Sequence, residues 1–376
     1  MYSFHRIMIT KPKLRWGILS TAEIARKNWK GIRNSGNGVV TAVASRTLER
    51  SERFIAECQR EAPFDVVPQS FGNYEALLHS KDVDAVYIPL PTGLRKEWVI
   101  RAAEAGKHVV CEKPCALSAA DLHEMTEACR RNRKQFMDGV MFTHSGRLDA
   151  IRRTLDDTTS VGELKRLAFG FSFSASPAFF AGNIRAQSNL EPQGCLGDLG
   201  WYCIRFALWI LKGQMPRSVT GRLLSQIGRG DSPVPVPTEF SAELFFESGV
   251  SANFYCSFMT ELQQWAHISG TKGSLRVSDF VLPNFGNQAA FEVSNPVYSV
   301  QGCDFDMTPN SRHVAVLEYS NSHPSAQESR LFRDFANQVN SGNLNEDWPD
   351  IACKTQRIVD ACRASADSDG RRVDLD

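Results

Sequence analysis

Over the first 140 residues, short runs of β-branched and aromatic residues alternate with amphipathic stretches. Residues 14–19, 39–45, 85–89, 108–112 and 135–140 read as strands. Between them, Ala25, Trp29 and Ile32 fall at i, i+4 and i+7, and Trp98, Ala102 and Ala105 repeat the helical spacing. Ser118 followed by Asp121 marks a capped start for a helix through Leu122, Met125 and Cys129. Strand and helix in regular alternation require crossover connections, so the pattern predicts an α/β domain built on a doubly wound parallel sheet.

After residue 140 the rhythm changes. A helix is expected over 147–155, then an apolar run at 167–173, a patternless stretch from Ala175 to Leu196, and a second helix over 198–211. Strand signals follow at 218–224, 238–246, 250–259, 265–270 and 273–277, with Glu247-Ser248-Gly249 as a hairpin turn. Within 250–258, Val250, Ala252, Phe254, Cys256 and Phe258 alternate with Ser251, Asn253, Tyr255 and Ser257. That alternation predicts a mainly antiparallel open sheet with one buried face. Pro233, Pro235 and Pro237 form a stiff connector between strands. Two helices close the chain, one through Leu331, Phe335 and Val339, the other starting at Pro349 and using Ile351, Thr355, Ile358 and Cys362. The expected domains are 10–141 and 142–376.

A length of 376 residues suits two such domains. Apolar residues make up 42% and charged residues 23%, which describes a globular chain and excludes disorder. Lys plus Arg is 43 against 42 for Asp plus Glu, so no bulk charge drives binding to nucleic acid or an anionic membrane. Residues 1–10 lack the parts of a signal peptide, and no segment approaches the roughly 18 apolar residues of a membrane span. Ten cysteines are too sparse for a disulfide scaffold, and Cys111 and Cys115 have no second pair at zinc-site spacing. A cytoplasmic protein with no metal is the expectation.

Three places carry candidate chemistry. The first strand–helix turn, Ser20-Thr21-Ala22-Glu23-Ile24-Ala25, has small residues where a dinucleotide-binding turn has glycines. It reads either as such a turn or as an ordinary connection. At the end of the second strand, Ser45-Arg46 stands where an NAD site usually has an acid; a guanidinium there can pair with a 2′-phosphate, which favours NADP(H) and leaves NAD(H) open. Glu112-Lys113-Pro114 ends another strand, and desolvation or a cationic neighbour would lower the Lys113 pKa towards a useful range. Farther on, Asp198 and Tyr202 lie at i and i+4 of the expected helix, so carboxylate and phenol share a face. Each residue also has a structural reading: surface pair, helix N-terminal acid, core aromatic.

Taken together, Trp16 to Ala25, Ile88-Pro89-Leu90-Pro91-Thr92, Ala105 to Pro114, Gly197 to Tyr202 and Ile268 to Gly273 resemble, in order, the Gfo/Idh/MocA family of NAD(P)-dependent oxidoreductases. The resemblance spans about 10–360. The Ser-Thr-Ala turn, Ser45-Arg46 and Tyr202 are similar to the branch holding dimeric dihydrodiol dehydrogenase, glucose–fructose oxidoreductase and NADP-linked xylose dehydrogenase. It implies a Rossmann domain, then an α/β domain whose open sheet often pairs subunits into a homodimer or larger assembly. It also implies Lys113 as catalytic lysine, Asp198 as substrate-orienting acid and Tyr202 as proton carrier. Ser20, Thr21, Ala22, Ile24, Ser45, Arg46, Pro89, Leu90, Pro91, Glu112 and Lys113 would line the cofactor. Arg185 and Trp201 are substrate-pocket candidates by position. Thr92 and Arg95 replace the Asn and His frequent in the family, which puts substrate contacts from that loop in doubt. The expected substrate is a sugar, polyol or cyclic diol; the alternative is a non-catalytic regulator that kept the fold.

Overall fold

The computed structural model describes residues 12–375; the decapeptide read above for leader features lies outside them. Six parallel strands form the first sheet: β1 (Leu14–Leu19), β2 (Gly38–Ala44), β3 (Gln69–Phe71), β4 (Ala85–Ile88), β5 (His108–Cys111) and β6 (Phe136–Asp138). Their order is β3-β2-β1-β4-β5-β6, so the chain starts at the centre, works to one edge and then crosses to fill the other. This is the doubly wound Rossmann arrangement, with its ligand crevice at the carboxyl ends where β1 and β4 part direction.

The strands read as continuous apolar runs because both faces are buried. Trp16 and Ile18 of β1, with Tyr87 of β4 and Val110 of β5, join one core, while Leu19, Val86, Ile88, Val109 and Cys111 join the other. Helices α1 (Glu23–Ser35), α2 (Leu48–Glu61), α3 (Tyr74–Leu78), α4 (Thr92–Glu104) and α5 (Ala119–Arg131) cover the two faces. The expected α5 cap is present: the Ser118 side chain accepts from the Asp121 amide.

The second sheet has nine strands. In chain order they are β7 (Leu164–Ser172), β8 (Ser218–Ile227), β9 (Val236–Phe245), β10 (Ser251–Ser257), β11 (Gln263–Gly270), β12 (Ser274–Val277), β13 (Gln288–Ser294), β16 (Ser311–Leu317) and β17 (Val373–Asp374); β14 (Val297–Gln301) and β15 (Asp304–Thr308) form a separate hairpin. Among the described residues, β7 and β10 pair in parallel and the other ladders of this sheet are antiparallel. The alternation read over 250–258 holds as far as Cys256, with Ala252, Phe254 and Cys256 buried and Ser251, Asn253 and Tyr255 half-buried; Ser257, expected on the outer face, is fully buried. Helix α6 (Arg147–Asp156) separates the two sheets in sequence, α7 (Pro177–Gly182) and α8 (Trp201–Ile210) lie between β7 and β8, and α9 (Gln327–Ser341) and α10 (Asp347–Asp367) lie between β16 and β17.

Two expectations change. The helix read from 198 begins as a wide π turn over Leu196–Gly200 and becomes α-helical only at Trp201. The final helix starts at Asp347, two residues before Pro349, with the Asn345 side chain accepting from the Asp347 and Trp348 amides.

Helix α9, although it lies far past the first domain in sequence, packs on the first sheet. Phe332 and Phe335 stand 5.2 Å from the Trp16 ring, and Phe335 stacks on Trp348. Gly31 of α1 makes the approach close: a Cβ there would meet the Phe332 ring at 3.1 Å. Arg333 donates to the Ser35 carbonyl, and Asn37 donates to the Arg333 carbonyl. The fully buried Phe335 ring is therefore expected to hold α9 in place. Phe335→Ala should cost about 3–5 kcal/mol, read as a lower urea midpoint at unchanged slope; a midpoint within error of the parent would refute this packing account.

Candidate active site

The carboxyl end of β5 delivers Glu112, Lys113 and Pro114, joined through a cis Lys113–Pro114 bond, to a cavity of about 400 Å³. The π turn brings Asp198 from the second domain. Gly197 lets that turn approach, since a Cβ there would meet Gln193 at 2.9 Å and the Pro114 ring at 3.3 Å. Such turns recur at functional sites because they redirect a side chain without ending the helix.

Lys113 Nζ donates to Asp198 Oδ1 at 2.7 Å and to the Asp198 carbonyl at 2.8 Å. Arg185 Nε pairs with Asp198 Oδ2 at 2.8 Å. The Lys113 ammonium also lies 4.5 Å from the centroid of the Tyr202 ring, within cation–π range. Residues 85 apart in sequence thus meet at one point.

Burial opposes the charged form of Asp198, but Arg185 and then Lys113 outweigh it and hold its carboxyl well below the usual range. Burial likewise opposes the Lys113 ammonium; Asp198, helped by Tyr202, outweighs it and raises the Lys113 pKa. The sequence reading expected the lysine to be lowered. The shift runs upward instead because a bonded carboxylate, which spacing alone did not place against it, stabilises the ammonium. Burial raises the Tyr202 phenol, opposed by Lys113 and reinforced by Glu112 and Asp198. The cavity therefore holds an ammonium, a carboxylate and a neutral phenol side by side.

Glu112 is fixed from beneath. Its Oε1 accepts from the Tyr87 hydroxyl at 2.6 Å and from Asn28 at 3.3 Å, so α1, β4 and β5 converge on one carboxylate. Thr92 and Arg95 turn out to be buried scaffold. Thr92 donates to Glu191 through its amide at 3.1 Å and its hydroxyl at 2.6 Å, while Arg95 donates to the Leu90, Glu112 and Pro114 carbonyls. The doubt over substrate contacts from this loop acquires a physical reason: these side chains bind protein.

The turn after β1 suits a phosphate. Ser20 adopts φ of +123°, a conformation that favours glycine, so the bend forms without one. Its Oγ accepts from the Ala22 amide at 3.1 Å. Helix α1 starts with no side-chain cap, which leaves first-turn amides for an anion. Thr21 Oγ1 and Ser45 Oγ lie 3.5 Å apart across β1 and β2. Arg46 is exposed just past β2, and its charge and that of Arg50 both bear on the Tyr74 phenol, marking a local cationic field.

Of the residues singled out in the sequence, Ala22, Ile24, Pro89, Leu90, Glu112, Lys113, Arg185, Asp198 and Tyr202 line one cavity. Ser20, Thr21, Ser45 and Arg46 stand beyond it, at the ends of β1 and β2, and Pro91 sits at the start of α4. Trp201 does not join them. It is fully buried beside the Arg205 guanidinium, because the residue next to Tyr202 on a helix points about 100° away. Asn28, Tyr87 and Glu191 line the cavity without having been anticipated. Tyr87 sits in the apolar run of β4, where only its hydroxyl could have marked it, and Glu191 lies in the patternless stretch.

Comparison with known proteins places the fold in a family. Residues 14–140 match the signature described as "Oxidoreductase family, NAD-binding Rossmann fold", and residues 150–276 match the "GFO/IDH/MocA C-terminal domain". The chain is 31% identical over 274 residues to trans-1,2-dihydrobenzene-1,2-diol dehydrogenase of Mus musculus, covering 72% of this chain and 76% of that protein. It is also 31% identical to dTDP-3,4-didehydro-2,6-dideoxy-alpha-D-glucose 3-reductase of Streptomyces violaceoruber, covering 75% and 78%. A crystal structure of a 3-ketoreductase from Actinomadura kijaniata, in complex with TDP-benzene and NADP, superposes with a TM-score of 0.76 at 25% identity, covering 94% of this chain and 98% of that one. The chain belongs to the Gfo/Idh/MocA family of oxidoreductases.

Proposed function

We propose that this protein is an NADP(H)-dependent oxidoreductase that moves hydride between the nicotinamide and a CH–OH carbon of a sugar, polyol or cyclic diol. The carrying observation is the meeting of Lys113, Asp198 and Tyr202 in one cavity at the strand ends. The substrate class draws on the relatives, whose names specify a dihydrodiol and a deoxysugar nucleotide.

The residues fit the dinucleotide. Uncapped α1 amides and the Ser20 bend suit its pyrophosphate, Ser45 and Arg46 the adenosine ribose and 2′-phosphate, and Pro89, Leu90, Glu112 and Lys113 the nicotinamide end. When bound, the nicotinamide supplies or accepts the hydride.

Proton transfer falls to Tyr202. A lysine with a raised pKa has no lone pair to offer at neutral pH, so Lys113 acts as a fixed positive charge. It stabilises negative charge on the reacting oxygen and on the Tyr202 oxygen. During reduction the Tyr202 phenol gives its proton to the carbonyl oxygen as that oxygen gains charge; during oxidation the proton returns to Tyr202. Asp198 orients the lysine, and Arg185 keeps Asp198 from neutralising it.

The half-exposed face of the second sheet, with Thr220, Arg222, Ser241, Tyr255 and Trp265, supports pairing of two copies in a homodimer or larger assembly. Ten unpaired cysteines accord with residence in a reducing cytoplasm.

Tyr202→Phe and Lys113→Met should each lower kcat at least about 10²-fold in a spectrophotometric panel of aldoses, polyols and diols, with NADPH binding retained. Since Tyr202 is raised above its ordinary 10.0, the phenol persists through neutral pH. The parent's reduction rate should therefore stay flat from pH 6 to 9, while oxidation rises with pH. Near-parental turnover in both variants would sink the assignment. Separately, Arg46→Ala should weaken NADPH binding about tenfold or more, leaving NADH nearly unchanged in fluorescence titrations; equal losses for both would remove Arg46 from 2′-phosphate recognition.

A further inference from the structure

Arg185 reaches Asp198 from residues 183–188, a turn with little hydrophobic anchoring. Ala186 is its one fully buried apolar side chain, and Ile184 is exposed. What holds the turn is polar and comes from the proline connector between β8 and β9. Arg229 Nη1 donates to the Asn183 carbonyl at 2.9 Å. Gln187 Nε2 donates to the Asp231 carbonyl at 3.0 Å, the Ser188 amide to Ser232 Oγ at 3.0 Å, and the Val234 amide to Ser188 Oγ at 3.3 Å.

Arg229 is itself oriented. Its Nη2 donates to Asp231 Oδ2 at 2.9 Å, and its side chain is only 16% exposed. The residue it grips is the one that sets Arg185, because Asn183 Oδ1 accepts from the Arg185 amide at 3.0 Å. Pro233 and Pro235, on either side of Val234, restrict the connector backbone, so its hydrogen-bonding groups stand in place before the turn meets them. At the turn's far end, Glu191 is held by Thr92, which fixes that end to the cofactor domain.

We propose that Arg229 is a positioning residue: it holds the 183–188 turn, and with it the Arg185 guanidinium, against Asp198, so the proline connector sets the substrate end of the cavity. The proposal rests on reading that cavity as the substrate site. It gives the connector a role beyond joining two strands. It also places substrate selection on the 183–191 turn, opposite the Thr92–Arg95 loop whose side chains are spent on protein contacts. A long aliphatic stem and a forked head suit Arg229 to this task, since one head bridges a carboxylate and a carbonyl at once.

The test is Arg229→Ala in the full chain, with hydrogen–deuterium exchange and steady-state kinetics measured together. Exchange across 183–188 should accelerate about tenfold or more while the strands of both sheets keep parental rates. KM for the best substrate of the panel should rise about five- to twentyfold, kcat should fall by a smaller factor because Arg185 also balances Asp198, and NADPH affinity should hold. In an Arg185→Gln background, Arg229→Ala should add no further KM change, as expected for residues acting in series. Unchanged exchange across 183–188, or multiplying effects in the double variant, overturns the proposal. Should no substrate in the panel be turned over, the oxidoreductase reading fails by itself, and the exchange measurement still decides whether Arg229 holds the turn.

Discussion

A buried carboxylate shared by two cations organises the catalytic end of this molecule. Asp198 takes Lys113 on one oxygen and Arg185 on the other, and both Lys113 and Asp198 are almost wholly withdrawn from solvent. Charges in such a setting persist only when paired, and removing one partner of a buried pair typically costs about 3–5 kcal/mol. The pairing therefore fixes the distances among a strand end, a π turn and a surface turn that share no local sequence. It also bears on the proposed chemistry: Asp198, bonded to Lys113, favours its charged form, and the proposed mechanism therefore gives proton transfer to the neighbouring phenol.

Much of the architecture was legible because burial on both faces of β1, β4 and β5 writes continuous apolar runs into the chain, and burial on one face of β10 writes an alternating one. The β14–β15 hairpin left no such trace. Both its strands are exposed throughout, so no buried face imposed a period. The proposed reacting set stood out for a different reason: Glu-Lys-Pro at a strand end and the Asp198–Tyr202 spacing are local patterns. Their electrostatics were not local. The direction of the Lys113 shift depends on a carboxylate 85 residues away, which only the fold brings into contact. Trp201 was misplaced for a related reason, since adjacency along a helix is not adjacency in space.

The hydrogen-bonded supports were the least visible. Tyr87 and Asn28 hold Glu112, Thr92 holds Glu191, and Arg95 ties together the Leu90, Glu112 and Pro114 carbonyls, yet nothing in one dimension shows which partner each side chain meets. The path of the chain explains why such supports cross domain boundaries. Helix α9 returns to the first sheet and places Glu328, Leu331 and Phe332 on the cavity wall, so the cofactor side is finished by the C-terminal part of the chain. A cavity assembled from so many distant segments keeps its shape through polar contacts at their meeting points and through the two cores behind them.

Whether Lys113 is a fixed cation is read most directly by NMR titration of its ammonium in the protein without added cofactor, with labelled lysine assigned through the Lys113→Met variant. The account predicts an ammonium signal that persists beyond the ordinary lysine value of 10.5, and whose titration moves down when Asp198 is replaced by Asn. A Lys113 that titrates near neutrality in the parent would contradict it and return the proton-carrying role to the lysine.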